Sequence, residues 1–87
     1  MTITQLEYII AVNEHRNFVK AAEKCNVTQP TLSMQIQKLE RTLGVKIFNR
    51  SQLPVSPTPI GETIIEQAKI VLAENQKIYA IAKNAKA

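Results

Sequence analysis

Thr28-Gln29-Pro30-Thr31-Leu32-Ser33-Met34-Gln35-Ile36-Gln37-Lys38-Leu39-Glu40-Arg41-Thr42-Leu43-Gly44 carries the clearest periodicity in this 87-residue chain. Leu32, Ile36, Leu39 and Leu43 recur at steps of four, three and four, which is one face of an α-helix. Thr28 is a good N-cap, because its hydroxyl can accept from an otherwise unpaired first-turn N–H. Pro30 lies in the first turn, where a missing N–H costs little. Gly44 sits where a left-handed residue stops a helix. With the apolar stripe turned inward, the opposite side presents Pro30, Met34, Gln37, Lys38 and Arg41, flanked by Thr31 and Ser33. That surface is polar and cationic and opens on a helix N-terminus. It suits a helix laid against an anionic surface that is also read through hydrogen bonds.

Composition narrows the classes. At this length burial is limited to one small core, and with 45% apolar but only 5% aromatic residues that core must be aliphatic. The formal charge of +4 favours an anionic partner. Its distribution says more: between Arg16 and Arg50 seven basic residues face only Glu23 and Glu40, whereas the rest of the chain is near neutral. A lone Cys25 excludes an internal disulfide and a cysteine metal cluster, and fits a reducing cytoplasm. No secretory leader or membrane span is legible. One His, one Cys and two Gly supply no nucleophile–base pair, metal-ligand set or phosphate loop, so an enzyme is the poorest class and no cofactor is implied.

Thr4 and Glu7 read as a capping box that starts a first helix, with Ile3 stapling against Tyr8. Leu6, Ile9, Ile10 and Asn13 mark its buried side, and it ends near Glu14-His15-Arg16. His15 stands alone and reads as a loop residue. Asn17 caps a short second helix with Phe18, Ala21, Ala22 and Cys25 pointing inward. Cys25 is therefore a packing residue before it is a redox one. Asn26 tolerates a left-handed conformation, so Cys25-Asn26-Val27 reads as a tight turn. A short helix, a tight turn and a longer helix with a polar face match a helix-turn-helix.

Val45 to Arg50 is rich in strand formers, Ser51-Gln52-Leu53-Pro54 is turn-like, and Val55-Ser56-Pro57 returns as an extended piece. Pro54 and Pro57 confine it to an edge. Two short strands after a helix-turn-helix describe a wing. Thr58-Pro59 then opens a long helix, capped by the hydroxyl with proline at the first helical position. It can run to the end of the chain. Ile64, Ala68, Val71, Asn75, Ile78 and Ala82 form a heptad-like seam, with a second stripe of Ile65, Leu72 and Tyr79 beside it. Two stripes exceed what the small domain can cover, which points to a partner helix, most simply that of a second copy. Asn75 would fix its register. The expected architecture is mainly α: a winged helix-turn-helix over residues 1–57, then a linker and dimerisation helix over 58–87.

Ala21-Ala22, Val27-Thr28-Gln29-Pro30, Leu32-Ser33, Gln35-Ile36, Leu39-Glu40, Leu43-Gly44, Ile47-Phe48 and Arg50 resemble, in order and spacing, the N-terminal domain of LysR-type transcriptional regulators. The match runs from Leu6 to Gly61, and within the family the likeness is greatest to its peroxide-sensing members. The resemblance implies sequence-specific binding of double-stranded DNA by a homodimer, with residues 30–43 in the major groove. Gln29, Pro30, Ser33 and Met34 would then face the bases. Thr28, Thr31, Gln37, Lys38 and Arg50 complete the expected contact surface, Thr31, Lys38 and Arg50 as phosphate ligands, with Ser51 and Gln52 added from the wing. An ideal wheel nevertheless sets Gln29 nearer the core flank. The resemblance also implies a larger C-terminal effector domain, absent here, through which any small-molecule or redox signal would act. Two departures stand out: Leu53 replaces the family's basic wing residue, and Ile60 its usual alanine before Gly61. A basic-faced helical adaptor for an acidic protein would explain the apolar long helix equally well. It would not explain a hydrogen-bonding helix start placed after a helix-turn pair.

Overall fold

The computed structural model describes residues 1–86. Four helices and a two-stranded ribbon follow one another as α1 (Ile3–His15), α2 (Phe18–Lys24), α3 (Gln29–Leu43), β1 (Phe48–Asn49), β2 (Ser56–Pro57) and α4 (Pro59–Lys86). The core is aliphatic, as its composition requires: Ile9, Val12, Leu32, Ile36, Leu39, Ile47 and Ile65 are fully enclosed. Burying side chains of this size stabilises the fold by roughly 1.5–3 kcal/mol each. Ala21 and Ala22 are buried as well, and their small side chains let α2 lie close to α1 and α3. Phe18 sits half-buried against Phe48, edge-on at 6.0 Å between ring centroids.

Helix boundaries follow capping chemistry. Thr28 accepts from the Thr31 N–H at 3.3 Å, and Gly44 ends α3 at φ 73°. Asn17 caps α2, and Asn26 takes the left-handed conformation at φ 58°. The start of α1 is a correction. Thr2, not Thr4, is the cap, and the box closes with Gln5: the Gln5 N–H donates to Thr2 Oγ1 and the Thr2 N–H to Gln5 Oε1. Glutamine serves at that position as well as glutamate, and the earlier start turns Gln5 inward, where its Nε2 donates to Gln35 Oε1 on α3 at 3.1 Å. The buried face shifts with it. Tyr8, Ala11 and Val12 join Leu6 and Ile9 in the core, while Ile10 and Asn13 are only half-buried. Arg16 closes the helix in the left-handed region at φ 53°.

The ribbon is shorter than the apolar run suggested. Phe48 pairs with Pro57 and Asn49 with Ser56, antiparallel. One further hydrogen bond ties it to the body and one extends its own ladder. The Val55 N–H donates to the Arg16 carbonyl at 3.2 Å, and the Thr58 N–H to the Ile47 carbonyl at 2.9 Å. Thr58 Oγ1 also donates to the Lys46 carbonyl at 2.5 Å and caps α4 by accepting from the Gly61 N–H. Gly61 is required there by space. A Cβ would fall 2.8 Å from the carbonyl carbon of Ile47 and closer still to its oxygen.

The early turns of α4 pack on α1, burying Ile65 and Ala68, while the later turns extend outward and give the molecule its 49 Å long axis. Among the described residues, no helix is long and apolar enough to cross a membrane.

Candidate nucleic-acid interface

Helix α3 divides by face. Leu32, Ile36 and Leu39 are buried, whereas Pro30, Thr31, Met34, Gln37, Lys38 and Arg41 are exposed together with the cap residue Thr28. Met34 is 54% accessible, so the outer face offers an apolar contact as well as polar ones. Had Pro30, Met34 and Arg41 been covered by the rest of the molecule, no docking surface would exist. Gln29 and Ser33 are half-buried on the flank of that face. They line an open cleft bounded by Asn17 and Phe18 at the start of α2 and by Arg50 and Leu53 of the wing. The helical wheel thus placed Gln29 well, and its position in the first turn leaves part of the side chain accessible.

The apolar stripe does not continue to Leu43 as its spacing suggested. Leu43 is exposed, and Glu40 takes the inward position at 3% exposure. A carboxylate is tolerated there because donors surround it. Its Oε2 accepts from the Ile47 and Phe48 N–H groups at 2.8 and 3.4 Å, and its Oε1 from Arg50 Nη2 at 3.3 Å. An acid on an otherwise apolar face was the available signal, since a buried charge requires hydrogen-bonded partners. Glu40 thereby fastens the base of the wing to α3. With it internalised, Glu23 is the one acid between Arg16 and Arg50 that faces solvent, among the described residues.

Arg50, expected as a phosphate ligand, is folded back onto the protein. Besides Glu40 it donates from Nη1 to Ser33 Oγ at 2.7 Å, and its guanidinium carbon stands 4.7 Å above the Phe18 ring. The wing residues are also internally engaged. Ser51 Oγ donates to Asn49 Oδ1 at 2.7 Å, and Gln52 Oε1 accepts from Ser56 Oγ at 3.2 Å. Both remain exposed, and Leu53 beyond them is 90% accessible, making the wing tip apolar.

The expected dimer seam is only partly available. Ile65 and Ala68 belong to the core of their own chain, because α1 needs an apolar partner along its whole length. Ile64, Val71, Leu72 and Asn75 are half-buried, and Ile78, Tyr79 and Ala82 are exposed. Ile70 and Ile81, outside the anticipated stripes, add exposed apolar surface on the same helix.

Cys25 is half-buried between α1 and α4. Burial first, then the charges of Glu7 and Glu14, push its thiol above the ordinary 9.0, with Lys24 opposing. Among the described residues, no group of acidic, His and Cys side chains is arranged to hold a metal.

Residues 3–62 match the family described as bacterial regulatory helix-turn-helix protein, lysR family. The chain is 50% identical over 82 residues to the hydrogen peroxide-inducible genes activator of Pectobacterium carotovorum, and 49% identical over 82 residues to the DNA-binding transcriptional dual regulator OxyR of Escherichia coli. Each alignment covers 94% of this chain, which spans about 27% of the length of those curated relatives. Among solved structures, the DNA-binding domain of BenM in complex with benA site 1 DNA superimposes with a TM-score of 0.95 at 36% identity, covering 100% of this chain and 98% of that one. Full-length OxyR C199D of Pseudomonas aeruginosa gives 0.95 at 47% identity, covering 100% of this chain and 30% of that one.

Proposed function

The chain belongs to the lysR family of bacterial regulatory helix-turn-helix proteins, and on that footing we propose that its α3 reads base edges in the major groove of double-stranded DNA, as the DNA-binding part of a peroxide-responsive transcriptional regulator in the cytoplasm. The carrying observation is the division of α3 into a fully buried aliphatic face and an exposed polar, cationic one that begins at a capped N-terminus. Helix N-termini suit phosphate oxygens, so the Thr28–Thr31 turn sits against the backbone, joined by Lys38. Gln29 pairs with an adenine edge, Ser33 with a base acceptor, Met34 with a thymine methyl. Gln37 adds a polar contact further along the groove. The exposed wing residues Ser51 and Gln52 approach the backbone beside it. Leu53, being apolar, brings no cation to the minor groove.

Two copies join through the open half of α4, along Val71, Leu72, Asn75, Ile78, Tyr79 and Ala82 with Ile64 at the margin. Residues 1–57 then carry DNA recognition and 58–86 the dimer helix, Ala87 at the end of the expected span lying outside the described residues. Such a dimer presents two α3 helices to half-sites about one helical turn apart, or a multiple of it. Burial and the charges of Glu7 and Glu14 disfavour the thiolate of Cys25, the reactive form, which fits a packing role for this residue.

Fluorescence anisotropy on a duplex selected from a random pool tests the reading. Gln29→Ala should weaken binding to the selected duplex but leave random duplex unchanged. Lys38→Ala should weaken both equally and lower the salt slope by about one. Full retention of preference by the Gln29 variant would reject α3 as the reading helix.

A further inference from the structure

The geometry points to Arg50 as a positioning residue that sets which base edge Ser33 reads, rather than as a phosphate ligand. This rests on α3 being the recognition helix. A free serine hydroxyl donates or accepts, and so serves several bases. Here one lone pair of Ser33 Oγ is occupied by Arg50 Nη1 at 2.7 Å, and the hydroxyl makes no other hydrogen bond among the described residues. Hydrogen bonds in a chain polarise one another, and a cationic donor does so most. The Ser33 O–H is thereby a stronger donor and a weaker acceptor, aimed away from the guanidinium.

Besides Ser33, two further groups hold Arg50 in place. Glu40 Oε1 accepts from Nη2 at 3.3 Å, the Phe18 ring lies 4.7 Å below the guanidinium carbon, and the side chain is 29% exposed. The planar fork reaches serine and carboxylate at once, which a lysine ammonium on its flexible stem does not reproduce. In the major groove a donor-only Ser33 selects an acceptor, N7 of either purine, O6 of guanine or O4 of thymine, and rejects cytosine, which offers only its amino donor.

Selection of duplexes from a randomised pool with wild type, Ser33→Ala, Arg50→Met and the double variant tests this, accompanied by salt titrations and thermal melts. Methionine keeps an apolar stem over Phe18 but cannot donate. The wild type should enrich a motif that excludes cytosine at one position. Ser33→Ala should lose that preference by about five- to tenfold. Arg50→Met should lose it at the same position by a similar factor, with the salt slope unchanged, and the double variant should be no worse there than Ser33→Ala. Arg50→Lys, which retains the charge over Phe18, covers the case in which Arg50→Met does not fold. It should show a partial loss confined to that position. Uniform weakening at every position would make Arg50 merely structural, and a slope lowered by about one would make it a phosphate ligand; either overturns the inference. Failure of the wild type to enrich any motif would instead refute the recognition helix beneath it.

Discussion

Glu40→Ala is the most informative perturbation of this fold, because one carboxylate holds α3, the base of the wing and Arg50 together. Truncation removes the acceptor for the Ile47 N–H at 2.8 Å and the weaker one for the Phe48 N–H at 3.4 Å, in a segment where Ile47 is fully buried. An orphaned buried donor costs about 1–3 kcal/mol, and the long Phe48 contact belongs at the low end. Arg50 loses its counter-charge but keeps Ser33 and the Phe18 ring, and its partial exposure screens the loss, so this contributes less than a fully buried pair would. Together these give about 3 kcal/mol. Stability for a chain of this length is about 4–13 kcal/mol, so the change is large. At about 4–8 °C per kcal/mol for a small domain, the melting temperature should fall by roughly 12–24 °C.

Glu40→Gln keeps one acceptor oxygen for the amides but turns donors toward Arg50, and should cost about half as much. Circular dichroism melts at fixed protein concentration, which holds any self-association constant, should rank wild type above Glu40→Gln above Glu40→Ala. A double-mutant cycle with Arg50→Ala should show coupling of about 0.5–1 kcal/mol. An alanine variant melting within about 3 °C of wild type would mean that Glu40 holds nothing together, and the reasoning about the wing anchor would be wrong.

Gly61→Ala should destabilise by about 3 kcal/mol, because the new methyl meets the rigid backbone of Ile47 and not a movable side chain; a melt unchanged from wild type would contradict the close approach. Cys25 should ionise with a midpoint above 9.0, so that alkylation at pH 8 is slower than for a free thiol and accelerates as pH rises. Thiolate absorbance with a midpoint below 9.0 would reverse that expectation. Ile78→Asp, on a 66% exposed residue, should leave the fold intact but shift sedimentation from dimer to monomer. A variant as dimeric as wild type would remove the outer half of α4 from the interface.

Much was legible from local rules. The caps Thr28, Asn17 and Thr58, the left-handed Asn26 and Gly44, and the buried triad Leu32, Ile36 and Leu39 all follow from chemistry within a few residues along the chain. The errors arose where a local pattern had two solutions or required a distant partner. Thr2 and Thr4 both begin a capping signature, and the choice fell to Thr2, whose frame turns Gln5 inward to Gln35. The stripe toward Leu43 lost to Glu40, whose burial is permitted only by donors from residues 47, 48 and 50.

By itself, then, the order of residues determined which segments are helical, where α2, α3 and α4 begin, and which side of α3 meets solvent through Leu39. Those are questions of periodicity and capping, settled by neighbours three or four positions away. Only the folded arrangement decided that Arg50 turns inward to Ser33 and Glu40, that Gly61 must lack a side chain, and that Ile65 and Ala68 serve α1 and not a second copy. Each depends on atoms brought together from distant parts of the chain, and neither spacing nor propensity carries information about such encounters.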